Sequence, residues 1–460
     1  MNKKWELTAV TPLDGRYRDK IQELSDFVSE YSLIKTRIEI ESRYLLALAD
    51  IKLIRPLSKI EKSFLASLSL GVTLPDAEEI KKIESETRHD VKAMERIFRR
   101  LLKGTSLVDI TEMIHIGLTS EDINNLSYRL MLQRATWTIC IPILEEIINN
   151  LTSKAKDYKS LPMLARTHGQ PAVPTTLGKE LIVFATRLHT QVSELKKQKL
   201  TGKLTGAVGN FNALYLAYPK VNWITFSKEF VSSFDLIPNL ITTQINPYDD
   251  MSAYFQAYQR INNILINLDQ DIWRYVSDNW FVQEIKKGEV GSSTMPQKVN
   301  PIDFENSEGN LGLANAIFEF LSRKLTVSRL QRDLSDSTAI RNIGTALGFC
   351  LLGYKSIIAG LSRIRPNLKQ IDKDLLKDWI ILAEGVQTVL RKSGVSDPYS
   401  LIANLSRGYH IEKKGFGKWV NTLPIDDKYK NMLKKLTPHT YIGLAVELTE
   451  KAIKDIQQTH

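Results

Sequence analysis

Cysteine is the scarcest chemistry in this chain: Cys140 and Cys350 are the only two among 460 residues. Two thiols cannot build the disulfide framework that small secreted domains use in place of a large core. Each sits within an apolar helical pattern, so both read as buried, reduced thiols. Histidine is sparse too, seven in all and none at ligand spacing, so no metal site is expected. The N-terminal "MNKKWELTAV" has no signal-peptide apolar run, and the uncharged stretch between Arg341 and Lys355 is shorter than the ~20 residues of a membrane span. A cytoplasmic protein without a membrane partner is the expectation. No Gly-x-x-x-x-Gly-Lys-[Ser/Thr] loop occurs, nor a strand-linked Gly-x-Gly-x-x-Gly turn. No cofactor is expected. Strand-like alternation is scarce, and short-period repeats and low-complexity tracts are missing.

What is present is helical pattern. Apolar residues recur at alternating steps of three and four in Trp137, Ile141, Leu144, Ile148, Leu151, Ala155, in Ile261, Leu265, Leu268, Ile272, Tyr275, and in Ile343, Leu347, Cys350, Tyr354, Ile357, Leu361. Such spacing lays one stripe along one helix face and suits near-parallel packing. Pro142 interrupts the first stripe and predicts a kink or offset there. A head of shorter helices extends to "GTSLVDIT", long helices run to "SRIRPNLK", and a helical tail follows with turns at "KSGVSDP" and "KKGFGK". The division is 1–110, 111–365 and 366–460, and the class is all-α. Stripes of this kind bury against one another or against sister chains, which favours an oligomer. The formal charge of +10 is spread along the chain rather than gathered in a tail. That pattern gives little support to a nucleic-acid partner, although a basic, non-catalytic binding protein remains the rival of a different class.

Polar clusters fall between the stripes. "TRHDV" sets Arg88, His89 and Asp90 side by side, where a histidine beside an aspartate is often only a hydrogen bond at a helix start. "TSEDINN" reads by itself as a helix N-cap, with Asp122 three residues after Thr119. "RTHGQPAVPTT" places His168 among glycine and prolines, which argues against a buried helical role. "GEVGSSTMPQKVNP" carries Ser292 and Ser293 between glycines and prolines; by itself it could be a linker.

Taken together, "GSSTMPQKVNP", "TSEDINN" and "THGQPA" resemble the three signature segments of the fumarase/aspartase superfamily, in the expected order. "LTAVTPLDGRY", "TRHDV", "TTQINP", "NPIDFENSEGNLGL" and "QRDLSDSTAIRN" resemble the long bacterial form of the adenylosuccinate lyase family. One departure, Gln297 in "MPQK", is also how argininosuccinate lyases tend to read, which keeps a second fumarate-releasing lyase in view. The resemblance implies a three-domain fumarase/aspartase-like fold with a central long-helix bundle, and a homotetramer with active sites shared between subunits. It implies β-elimination of fumarate from a small-molecule nucleotide, with Ser292 as base, Ser293 as fallback, His168 as acid, and Glu305 orienting His168. On this reading the 288–301 loop is a lid that carries the base. Lys298, Asn300, Thr119, Ser120 and Gln244 would meet the succinyl carboxylates. Arg16, Tyr17, Arg332, Ser337 and Arg341 would meet the phosphate, with Arg88, His89 and Asp90 completing the nucleotide pocket.

Overall fold

Helices carry most of the chain, as the three- and four-residue steps require. The computed structural model describes residues 3–284, 295, 298–406 and 411–458. The long helices are Glu30–Asp50, Ser120–Ala135, Ile141–Asp157, Leu177–Lys197, Asp249–Ser277, Ile302–Lys324 and Ile343–Arg363. Sheet is confined, among the described residues, to three two-stranded ladders. The all-α class read from the sequence is the observed one.

The stripes are the core. From Ile141 to Ala155, from Ile261 to Ile272 and from Ile343 to Leu361, the named positions are buried. Each large aliphatic side chain so buried contributes about 1.5–3 kcal/mol. Tyr275 is only partly buried, and Trp137 stands out at 46% exposure. A π turn, Thr136–Cys140, explains it: the Ile141 amide reaches back to Thr136 O, five residues away. The wide turn rotates Trp137 off the stripe and lies just ahead of Pro142, whose ring and missing N–H an α turn cannot absorb. The expected interruption is therefore an offset made by one widened turn. The stretch Ser335–Arg363 is apolar and long enough to span a membrane by composition, yet 72% of its apolar window is buried inside the protein. It is a core helix.

Two compact units can be told apart. The first comprises Met1–Ile143, Gln191–Asn263 and Gly309–Gly353. In it, Glu30–Asp50 packs on Lys59–Gly71 and on Ser120–Ala135. Capping boxes start Lys59–Gly71 (Ser58 with Glu61) and Leu74–Thr87 (Thr73 with Asp76), satisfying amides that the first turn leaves free. An aromatic cluster of Tyr44, Trp223, Phe226, Phe230 and Phe234 fixes the far end of Glu30–Asp50, with the Tyr44 hydroxyl donating to Ile116 O at 2.9 Å.

The second unit comprises Leu144–Thr190, Ile264–Glu308 and Tyr354–His460. Its hairpin pairs Pro162–Thr167 with Gln170–Thr176, antiparallel, through a two-residue turn at His168 and Gly169. Both turn residues have positive φ, 53° and 73°, as a type I′ turn demands. Leu164 on this hairpin joins a core built by Trp379, Leu382, Val386, Leu390, Phe416, Trp419 and Val420. One expectation fails here: "KKGFGK" is not a turn but the opening of the helix Lys413–Thr422. Its glycines are poor helix formers, but Phe416, Trp419 and Val420 bury one face, and that burial outweighs the propensity.

Candidate active site

Four segments of the first unit converge on a cavity of about 410 Å³. "TRHDV" supplies the first wall. Leu74–Thr87 ends with Arg88 in the left-handed region, φ 52°, its amide bonded to Glu84 O at 2.7 Å. Such a backbone costs a residue with a Cβ about 1–2 kcal/mol, and here it belongs to an arginine that lines the cavity. His89 then caps Asp90–Leu102, its Nδ1 accepting from the Lys92 amide at 3.1 Å. The structural hydrogen bond anticipated for this histidine is thus present, and the ring lines the cavity as well. With Nδ1 accepting, a neutral ring carries its proton on Nε2, which lies 3.5 Å from Ser120 Oγ.

Asp90 is shared by two arginines. Arg37 Nη2 donates to its Oδ2 at 2.7 Å and Arg341 Nη2 to the same oxygen at 3.1 Å. Burial alone would raise this carboxyl; the pull of Arg37, the Val91 amide and Arg341 outweighs burial and holds it at about 2. Arg341 Nη1 also donates to Glu30 Oε2 at 2.7 Å, and Lys81 bonds the other oxygen of Glu30 at 3.1 Å. Arg332 completes the wall. Its Nη2 donates to Ser337 Oγ at 2.8 Å and its Nη1 to Gln244 Oε1 at 3.5 Å. Two buried carboxylates flank it, Glu121 at 3.4 Å and Asp336 at 3.7 Å. Burial pushes the Glu121 carboxyl up to about 7, against the opposing charge of Arg332.

"TSEDINN" begins the helix Ser120–Ala135, with Thr119 as N-cap and its amide donating to Asp122 Oδ2 at 2.9 Å. The cap reading is correct, and Ser120 on the first turn also faces the cavity. Gln244 donates to Ala207 O at 3.1 Å. Arg16 and Tyr17 do not line this cavity; the Arg16 guanidinium lies 5.7 Å from the Tyr17 ring centroid. Their neighbours Asp14 and Arg18 line an adjoining hollow of about 280 Å³ that shares Arg341.

The remaining residues belong to the second unit. His168 stands exposed at the tip of its hairpin. Glu305 lies on the first turn of Ile302–Lys324, where its Oε1 accepts from the Trp273 indole at 3.1 Å. Lys298 is exposed, its amide bonded to Met295 O at 3.0 Å, and Asn300 follows just before the helix. Ser292, Ser293 and Gln297 lie outside the described residues.

Comparison with known proteins places this arrangement. A family model described as lyase matches residues 15–316, and one described as adenylosuccinate lyase C-terminal matches residues 328–442. Adenylosuccinate lyase of Haemophilus influenzae is 46% identical over 449 residues, covering 97% of this chain and 98% of that protein. The chain belongs to the adenylosuccinate lyase family. The family's enzyme from Escherichia coli K12 is 43% identical over 449 residues, with 97% and 98% covered. A fumarate lyase from Mesorhizobium sp. BNC1 superposes with a TM-score of 0.75 over 95% of this chain and 97% of that one; at 16% identity it shows the shared fold alone.

Several residues of this lyase escaped the sequence reading. Arg37 and Glu41 sit at core positions of Glu30–Asp50, among Leu33, Ile34, Ile38, Tyr44 and Leu45. Arg37 is anchored by Asn124 Oδ1 at 2.9 Å and Asp90. Glu41 bonds His115 Nδ1 at 2.5 Å. The signal was available: two charges on an apolar stripe are costly unless each has a partner. Glu121 carried no such signal, because in sequence it reads as an ordinary acid of a first helical turn, and Asp122 reads only as the partner of the Thr119 cap.

Proposed function

We propose that the chain cleaves adenylosuccinate to AMP and fumarate, and succinylaminoimidazole carboxamide ribotide to AICAR and fumarate, in cytoplasmic purine nucleotide biosynthesis. One observation carries the choice of substrate: Arg88, Arg332, Ser337 and Arg341 line a single cavity with His89 and Ser120. Three guanidiniums and the Ser337 hydroxyl suit a phosphate dianion, which guanidinium forks bind in a bidentate manner. Argininosuccinate has no phosphate and would leave those groups without a task.

In the reaction, Ser292 takes the proton from the carbon next to a succinyl carboxylate, giving a doubly charged aci-carboxylate. The electron pair then expels the nitrogen of the departing nucleotide, which receives a proton from His168 as the C–N bond breaks. Lys298, Asn300, Thr119, Ser120 and Gln244 hold the succinyl carboxylates and stabilise the charge that develops there. Arg16 and Tyr17, on the segment whose Asp14 and Arg18 line the neighbouring hollow, add contacts to the phosphate. Glu305 orients His168, and it also accepts the Trp273 indole of its own chain. The assembly is a homotetramer with each site shared between chains. Needed from the protein are only acids, bases and donors; no cofactor enters. The test follows the loss of adenylosuccinate and of argininosuccinate by absorbance. Turnover of argininosuccinate alone would overturn the assignment.

A further inference from the structure

Beneath Thr119 and Ser120 lies an ion pair with no solvent exposure on either side chain. Lys203 Nζ donates to Asp122 Oδ1 at 2.7 Å and to Gly206 O at 2.8 Å. A buried pair of this kind adds little stability compared with apolar residues of the same volume, so its presence asks for another reason. Its remaining bonds supply one. The Asp122 carboxylate accepts three backbone amides: Thr119 at 2.9 Å on one oxygen, Thr205 at 3.0 Å on the other, and Gly206 at 3.2 Å and 3.3 Å between them. One carboxylate therefore ties the turn before Ser120–Ala135 to the segment 203–206.

Asn125, one turn along the same helix, closes the frame. Its Nδ2 donates to Lys203 O at 3.0 Å and its Oδ1 accepts from the Lys203 amide at 2.9 Å. The segment that follows holds the next wall: Thr205 Oγ1 meets Thr242 Oγ1 at 2.8 Å, and Ala207 O accepts from Gln244. So the groups at 119–120 and at 244, far apart in sequence, hang from one buried carboxylate and the ammonium that neutralises it.

We propose that Asp122 and Lys203 form a positioning pair that sets the Thr119–Ser120 donors and Gln244 at a fixed separation for the dicarboxylate half of the substrate. The proposal rests on the reading that these three residues hold the succinyl carboxylates. Neither member touches the substrate; each acts through the backbone that carries the groups that do. Lys203 matters because a carboxylate with no access to water is costly without an opposing charge, and the ammonium keeps it in place to accept the three amide bonds.

The experiment compares Lys203→Met, the double variant Asp122→Asn with Lys203→Met, and Ser120→Ala, using the full-length protein. The double variant removes both charges together, so that neither is left buried alone. Fumarate and AMP affinities are measured separately by calorimetry, with thermal unfolding as the control for folding. Expected for both Lys203 variants is a loss of fumarate affinity on the order of tenfold or more, with AMP affinity changed by less than about threefold. A kcat loss exceeding any rise in KM should accompany it. If Ser120→Ala weakens fumarate binding while the folded Lys203 variants do not, the positioning role is refuted and the succinyl reading survives. If Ser120→Ala leaves fumarate unaffected, that reading fails first. Equal losses for both ligands, or failure of both Lys203 variants to fold, would make the pair a fold element and overturn the proposal.

Discussion

The Glu121→Gln variant should remove a slope from the pH dependence of stability. Glu121 is 2% exposed, and its carboxyl is raised from 4.5 to about 7 by burial, with Asp336 adding to the rise and Arg332 opposing it. A gap of that size corresponds to about 3 kcal/mol, at roughly 1.4 kcal/mol per unit. The folded protein holds this proton more tightly than the unfolded chain. Below the unfolded value both states are protonated, and the group contributes no slope. As pH rises from about 4.5 to 7 the unfolded chain releases its proton first, and stability falls. Above about 7 the folded state ionises as well, and the curve flattens. Glutamine keeps the shape and cannot ionise. Urea midpoints at several pH values and one protein concentration would give the difference between variant and parent, which should grow in the variant's favour by up to about 3 kcal/mol between about pH 4.5 and pH 8. A constant offset decides nothing; only the slope does. Parallel curves would refute the reasoning, because they would mean that Arg332 keeps Glu121 ionised at its ordinary value.

Arg341→Ala should weaken AMP binding on the order of tenfold, by removing a charge-assisted phosphate contact, while fumarate affinity, read in the same calorimeter, stays unchanged. Gly209→Ala should destabilise by at least about 2 kcal/mol in thermal unfolding: φ is +86° and the added Cβ would lie 2.1 Å from Thr242 O, so an unchanged melting temperature would contradict the described backbone. Ser292→Ala should abolish turnover while substrate still binds, with Ser293→Ala much milder; the reverse pattern would move the base by one residue. Mixing inactive His168→Ala and Ser292→Ala proteins should restore part of the activity, since some hybrid sites receive both native residues. No recovery after subunit exchange, verified by mass spectrometry of labelled chains, would place both groups in one chain.

Periodicity made the core legible before any coordinates, because long buried helices leave a stripe that few other structures produce. It failed where the period itself changes: nothing in "ATWTICIP" announces a π turn except Pro142, and Trp137 was assigned to the wrong face. Glycine content misled at "KKGFGK", where burial of Phe416, Trp419 and Val420 overrode local propensity. The hairpin carrying His168 was hidden for a different reason. Pro171 and Pro174 suppress the look of a strand, yet a two-stranded ladder has free edges on which prolines are tolerated. As for the cavity, "TRHDV" and "QRDLSDSTAIRN" stand far apart in the chain but share Asp90 through Arg341. The buried acids behind Arg332 could not be inferred, because their meaning depends on depth, and depth is not written in a first helical turn.

Asp90 and Glu30 give the cavity a property of its own. Arg37 bonds Asp90, Lys81 beside the cavity bonds Glu30, and Arg341 bonds both carboxylates, so none of the three is a bare cation. The protein thus carries its own resident anions, and a phosphate that reaches Arg341 competes with them for its N–H groups. Arrival is then an exchange of partners rather than a capture, with two consequences. Few small ions are set free when the ligand settles, so raising the salt concentration should weaken the complex only gently. And a ligand with a single negative charge should gain less from the trade than a phosphate dianion does.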